Sequence, residues 1–148
     1  MSVSIEGLGL DNAKSILEYI TKNISTESQK ALKTLGDNIV AEARSNLQNN
    51  TNINSGHLLS SIKILKETED SIWIGTEEDY AWYIEYGRGP VRPLKQDGWL
   101  HWIDKQTGKD VFAKFAKATE PMPFLEPAVI KHTQDFPRIY TEQMTELL

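Results

Sequence analysis

The chain has 148 residues, a size at which one domain buries roughly 68–70% of its unfolded surface and needs neither disulfide nor metal to hold it together. It contains no cysteine, which excludes thiol catalysis, thiolate metal sites and disulfides. Its 16 basic and 21 acidic residues give a net charge of −5, a balance poorly suited to duplex recognition, which draws its affinity from neutralised phosphates.

The first residues, MSVSIEGLGLD, show neither the basic start nor the apolar block of a secretory signal, and no apolar run approaches the ~20 residues of a membrane span. Leu10, Ala13, Leu17, Ile20 and Ile24 recur at spacings of three and four, which predicts an amphipathic helix with Asp11 or Asn12 near its start. A second helix is predicted from Glu27 to Leu47, with Leu32, Leu35, Ile39, Ala43 and Leu47 on one stripe. Thr26 and Gln29 match a capping box that would satisfy its first amides. The polar run Asn49 to Asn54 reads as a loop, because its side chains compete for backbone bonds.

The period then changes to two. Ile62 and Ile64 flank Lys63, Ile72 and Ile74 flank Trp73, and ETED lies between, which predicts a hairpin over residues 61–76. A second hairpin is predicted from Trp99–Ile103, the turn DKQTGK and Val111–Ala116, with Gly108 free to take a positive φ. Between the hairpins, Asp79 as N-cap and Gly87 as terminator predict a helix over Tyr80–Tyr86. Tyr80, Tyr83 and Ile84 would share one face, and Trp82 and Tyr86 another. Two aromatic faces on one short helix exceed what a single sheet covers, so a second neighbour is expected.

In the C-terminal part, Pro127 fits the first turn of a helix whose stripe is Leu125, Ala128, Val129, His132 and Phe136, continued by Ile139 or Tyr140, Met144 and Leu147. Pro137 removes an amide donor inside that run and predicts a kink or break near Asp135. The order α-α-β-β-α-β-β-α defines an α+β fold. Its small, mostly antiparallel sheet of two hairpins is packed by a long N-terminal helix, a short middle helix and a C-terminal helix. One domain is expected over residues 1–148, with 1–25 as a helical extension.

Candidate chemistry is sparse. His57, His101 and His132 are not at metal-ligand spacing, and His101 on a strand and His132 on a helix stripe suit packing or an interface. His57 follows Ser55-Gly56, but no GxSxG elbow is present and no acid is placed for a triad. Glu85, between Ile84 and Tyr86, is the strongest candidate for a catalytic carboxylate. Its alternative role is to pair with an arginine or cap a neighbouring amide. No phosphate-binding glycine loop occurs, and no cofactor is expected. The aromatics of Tyr80–Tyr86 with Arg88, Arg92 and Lys95 admit two readings, a single-stranded nucleic-acid platform or a protein-docking surface. Helical spacing favours the second.

Four blocks stand in order: Ser55-Gly56-His57-Leu58-Leu59-Ser60-Ser61-Ile62; Gly75-Thr76; Tyr80-Ala81-Trp82-Tyr83-Ile84-Glu85-Tyr86-Gly87; and Pro123-Phe124-Leu125-Glu126-Pro127-Ala128. Together they resemble the tail-completion, or neck, proteins of long-tailed bacteriophages, also labelled minor tail components, over residues 27–130. Ser55 stands where that family often has Thr, Leu59 where it has a basic residue, and Arg88 where it continues with Thr. Apart from the resemblance, Ser55 can cap a helical turn, Gly56 can allow close backbone approach, and Pro123, Phe124 and Pro127 can seat the last helix on the sheet.

The resemblance implies a non-enzymatic virion protein, made in the host cytoplasm of a phage or prophage. It would be a monomer when isolated and a homo-oligomeric, six-fold ring when assembled at the head–tail junction. The ring would join the head connector to the tail tube and let DNA pass without sequence-specific binding. Tail terminator or minor capsid protein is the nearest alternative, ahead of a nucleic-acid-binding module or a hydrolase. A compact subunit would be roughly 35–40 Å across, and six in a ring leave an opening of similar width. The expected interface is Trp82, Glu85, Tyr86, Arg88, Pro90, Arg92 and Lys95, with Arg88–Asp97 a mobile loop that docks on an acidic or polar partner.

Overall fold

Ala31, Leu35, Ile39, Ala43 and Leu47 recur every four residues, with Ala31 in the place expected for Leu32, which is half-buried. In the computed structural model, which describes residues 11–50, 56–104 and 107–146, all five are buried along a single helix, α1 (Asp11–Asn49). The two helices expected here are one. Thr26, read as a cap, lies mid-helix and donates its hydroxyl to the Lys22 carbonyl at 3.1 Å, as Ser28 does to Ile24 at 2.8 Å. No glycine or proline interrupts residues 18–30, so a capping pattern there meets no break to cap. At 39 residues α1 is about 58 Å long and outgrows the compact sphere expected for the chain. Leu10, the segment 51–55 with Ser55, and Leu147 lie outside the described residues.

Helix α4 (Leu125–Thr145) lies antiparallel to α1. Ser28 meets Tyr140 at 3.4 Å, Glu42 meets Lys131 at 2.9 Å, and Asn46 donates to the Phe124 carbonyl at 3.0 Å, so the two helices run in opposite senses. The Lys131 bond holds the Glu42 carboxyl below its usual range, so this tie loosens as pH falls through that lowered value. The break expected near Asp135 does not occur. The helix passes through Pro137 because packed Phe136 and buried Ile139 hold the turns on either side. Its seat is α1, not a sheet as Pro123, Phe124 and Pro127 suggested.

The first hairpin, β1 (Lys63–Glu67) with β2 (Ile72–Gly75), lies on α1. It pairs Lys63 with Gly75 and Ile64 with Ile74, with an irregularity after Ile64. The hairpin packs tightly over Gly36, where an added Cβ would clash with Ile72 Cδ1 and fall 3.2 Å from Ile64 Cδ1. The strand begins later than expected, because Ser61 ends a short helix, α2 (Gly56–Ser61). Leu58 and Ile62 are both fully buried beside it. Arg44 Nη2 donates to the Ile62 carbonyl at 2.7 Å, and the Ser61 and Thr76 hydroxyls are 2.6 Å apart, tying α2 to the end of β2. At Gly56 the expected close approach is missing, since a Cβ there would meet nothing within 4 Å.

The second hairpin, β3 (Leu100–Ile103) with β4 (Asp110–Ala113), forms its own two-stranded sheet. Its register runs from Leu100 opposite Ala113 to Ile103 opposite Asp110. Gly108 takes the positive φ, 67°, that the turn was expected to need. The architecture is α+β, with a long N-terminal helix, a short middle helix, a C-terminal helix and two antiparallel hairpins that do not join edge to edge.

Candidate protein interface

The stretch between the hairpins folds as α3 (Ala81–Tyr86), with Tyr80 at the N-cap position. Asp79 does not cap it. The turn closes earlier, with Ala81 N donating to Glu78 O at 3.0 Å and Thr76 Oγ1 accepting from Glu78 N at 3.1 Å. The buried face is also turned from the one expected. Ala81 and Glu85 point inward, and Tyr80 and Ile84 pack half-buried on the core as expected, while Tyr83 is exposed beside Trp82 and Tyr86.

Glu85 explains that rotation. It is only 6% exposed, and its carboxylate accepts three backbone amides at the start of α4. Oε2 receives Phe124 N at 2.9 Å and Leu125 N at 3.0 Å, and Oε1 receives Glu126 N at 2.8 Å. Helix α4 has Phe124 at its N-cap position, which offers no side-chain acceptor, so Glu85 supplies the acceptor from another element. The negative charge also lies at the positive end of the α4 dipole. Glu85 was expected on the partner-facing surface; it faces inward, because three amides there have no other acceptor.

Gly87 follows at φ 74° and ψ 177°, a region reserved for glycine. From it the chain runs antiparallel to residues 116–122. Met122 N donates to Ile84 O at 2.8 Å, and two rungs pair Arg88 with Thr119 and Val91 with Ala116 through bonds of 2.7–3.0 Å. The first half of the Arg88–Asp97 loop is therefore anchored, contrary to the expectation of mobility. Beyond it, Leu94 and Lys95 are exposed, and a turn closes from Gly98 N to Lys95 O at 2.9 Å.

This clamped frame displays aromatic surface. Trp82 is 68% exposed and Tyr86 52%, with ring centroids 4.6 Å apart in an edge-on contact. On the second hairpin Trp99, Trp102, Ile103, Phe112 and Phe115 are also exposed. His101 stacks on Phe112 at 4.5 Å and bonds Asp110 at 2.6 Å. Cations lie over the rings: Arg88 over Tyr83 at 5.8 Å, Arg92 over Phe115 at 5.2 Å and Lys114 over Trp99 at 4.5 Å. Of the residues expected to meet a partner, Trp82, Tyr86, Pro90, Arg92 and Lys95 are exposed, Arg88 is half-buried and Glu85 is buried. Periodicity within β3 and β4 missed how much of the second hairpin lies open.

Elsewhere the chemistry stays modest. The fold supplies the acid that the sequence did not place near His57, with Nδ1 3.1 Å from Glu78 Oε1, but the neighbouring Ser60 and Ser61 hydroxyls donate to the carbonyls of His57 and Leu58. His132 lies in the α1–α4 seam, 3.6 Å from Glu42. A surface concavity of about 620 Å³ is lined, among the described residues, by α4 with Glu146 at its end. Among the described residues no cluster of three or more His, Asp or Glu is placed to hold a metal, and no helix is long and apolar enough to cross a membrane.

Fold and surface together are those of a small α+β protein whose helices are fastened from within and whose aromatic side chains are displayed outside. The chain belongs to the HK97-gp10-like family, described as "Bacteriophage HK97-gp10, putative tail-component", whose model matches residues 12–87, just over half of its length. That match takes in nearly all of α1, including residues 12–26, which precede the span of the resemblance read from the sequence. It ends at Gly87, so the Pro123–Ala128 block lies beyond it. No curated protein and no solved structure gives a significant match.

Proposed function

We propose that the chain is a structural subunit of a tailed-phage or prophage virion. It assembles as a closed, six-fold ring at the head–tail junction, joins the head connector to the tail, and lets DNA through. Membership of a phage tail-component family supports the virion setting. The observation that carries the assembly reading is the second hairpin. A lone two-stranded hairpin is marginal in water, yet this one exposes Trp99 and Phe112 at 62% each, with Trp102 and Ile103 exposed beside them. Such a surface is suited to burial against another protein.

A non-catalytic role accords with Glu85, the leading candidate acid, having both carboxylate oxygens occupied by backbone amides. Acidic side chains lining the ring opening would repel phosphates and keep DNA from sticking. Electron microscopy of lysates from a phage lacking this gene tests the reading. The expected result is filled heads and finished tails that accumulate unjoined. Intact joined particles would overturn it.

A further inference from the structure

We propose that the groove beside Arg88 is the socket for the acidic tip of the first hairpin of a second copy of this chain, a contact that rests on the ring reading above. The groove, about 350 Å³, is lined by Arg88, Val91, Leu100, His101, Trp102 and Ala116. Arg88 Nε is shielded from solvent there without a hydrogen-bond partner, while Nη2 reaches the Lys117 carbonyl at only 3.5 Å. The side chain is only half-buried, so guanidinium donors other than Nε remain reachable from the groove, and an arriving carboxylate would meet them with a charge-assisted bond.

The chain carries the matching group. The run Glu67–Asp79 holds six acids and no base, whereas Arg88–Lys117 holds seven bases against three acids. Glu67, Glu69 and Asp70 are exposed at the tip of the first hairpin. That tip is held in shape: Thr68 N donates to Ser71 O at 2.9 Å, and Asp70 Oδ1 receives the hydroxyls of Thr68 at 3.0 Å and Ser71 at 2.7 Å. A preformed turn loses little entropy on docking. Nucleic acid fits less well, because Arg88, Arg92 and Lys114 already lie over the rings of Tyr83, Phe115 and Trp99 on which bases would stack. The contact joins two different patches of one chain, so it is head-to-tail and propagates until it closes into a ring.

The natural chain has no cysteine, so engineered pairs report without background. The full-length Glu69→Cys/Lys117→Cys double variant, oxidised at high concentration, is expected to give a covalent ladder of trimers and larger species, and each single variant only monomer. Adding Arg88→Gln should lower the ladder yield about tenfold. Glu67→Lys, at the same exposed tip but outside the bonds that shape the turn, should do the same and guards against misfolding of the Arg88 variant. No ladder, or dimers from a single variant, overturns the contact. A ring seen in particles together with no ladder overturns this pairing alone and leaves the head–tail reading standing. Retention of a labelled single-stranded oligonucleotide by the unmodified chain, lost in Arg88→Gln, would assign the groove to nucleic acid and also overturns it.

Discussion

Glu85→Ala is expected to lower the free energy of unfolding by about 3–5 kcal/mol, the range for removing one partner of a buried charged hydrogen-bond set. Three amides at the start of α4, that of buried Phe124 above all, would lose their acceptor, and the α4 dipole would lose the charge at its positive end. Glu85→Gln keeps one carbonyl oxygen and should cost about half as much. Denaturant midpoints check both, with a fall in melting temperature of about 10 °C for the alanine variant. An unchanged midpoint for Glu85→Ala would show that the clamp contributes nothing. The outcome also bears on chemistry, since a catalytic carboxylate is often replaced at little cost to stability, or even with a gain.

Gly87→Ala should be similarly damaging, by at least about 3 kcal/mol, because conformational strain and a steric clash act together. At φ 74° and ψ 177° an L side chain is strained in any surroundings. Here the added Cβ would also lie 2.6 Å from the Thr119 carbonyl oxygen and 2.9 Å from Pro121 N, both backbone atoms that cannot swing aside. Gly108→Ala separates the two effects. Its φ is 67°, yet a Cβ there would meet nothing within 4 Å, so only the strain of about 1–2 kcal/mol applies. Equal losses at the two glycines in thermal or urea unfolding would mean that the approach of residues 119–121 to Gly87 has no energetic weight.

Much of the fold was legible where the signal is local. The four-residue recurrence from Leu35 to Leu47 marked the buried side of α1, and the alternation around Lys63 and Trp73 marked the first hairpin. Local signals also misled. Thr26 and Gln29 have the spacing of a capping box, but a box caps only where the preceding turn can end, and no residue there ends it. Pro137 threatened a break that the packing of Phe136 and Ile139 prevents.

A capping role for Glu85 was read from the sequence as its alternative, but the amides it caps lie about 40 residues further on, beyond any local signal, though each half left a trace. Glu85 has Ala81 and Trp82 one turn before it, and Gly87 ends the helix before Arg88, so no cation is available to it on its own helix. Residues 121–127 open a helix without Ser, Thr, Asp or Asn to cap it. An acid without a cation and a helix start without an acceptor complete each other. The charge contrast between Glu67–Asp79 and Arg88–Lys117 was likewise present in the sequence, but its meaning depended on a groove that only the tertiary fold creates.

The claim that other copies of this chain cover its aromatic surface is tested most directly by a reconstruction of the head–tail junction from particles that carry it. The account predicts a closed ring of copies in which Trp82, Tyr86 and the second hairpin are buried between protein subunits. A junction that lacks the chain, or that holds it with those side chains facing solvent, would contradict the account.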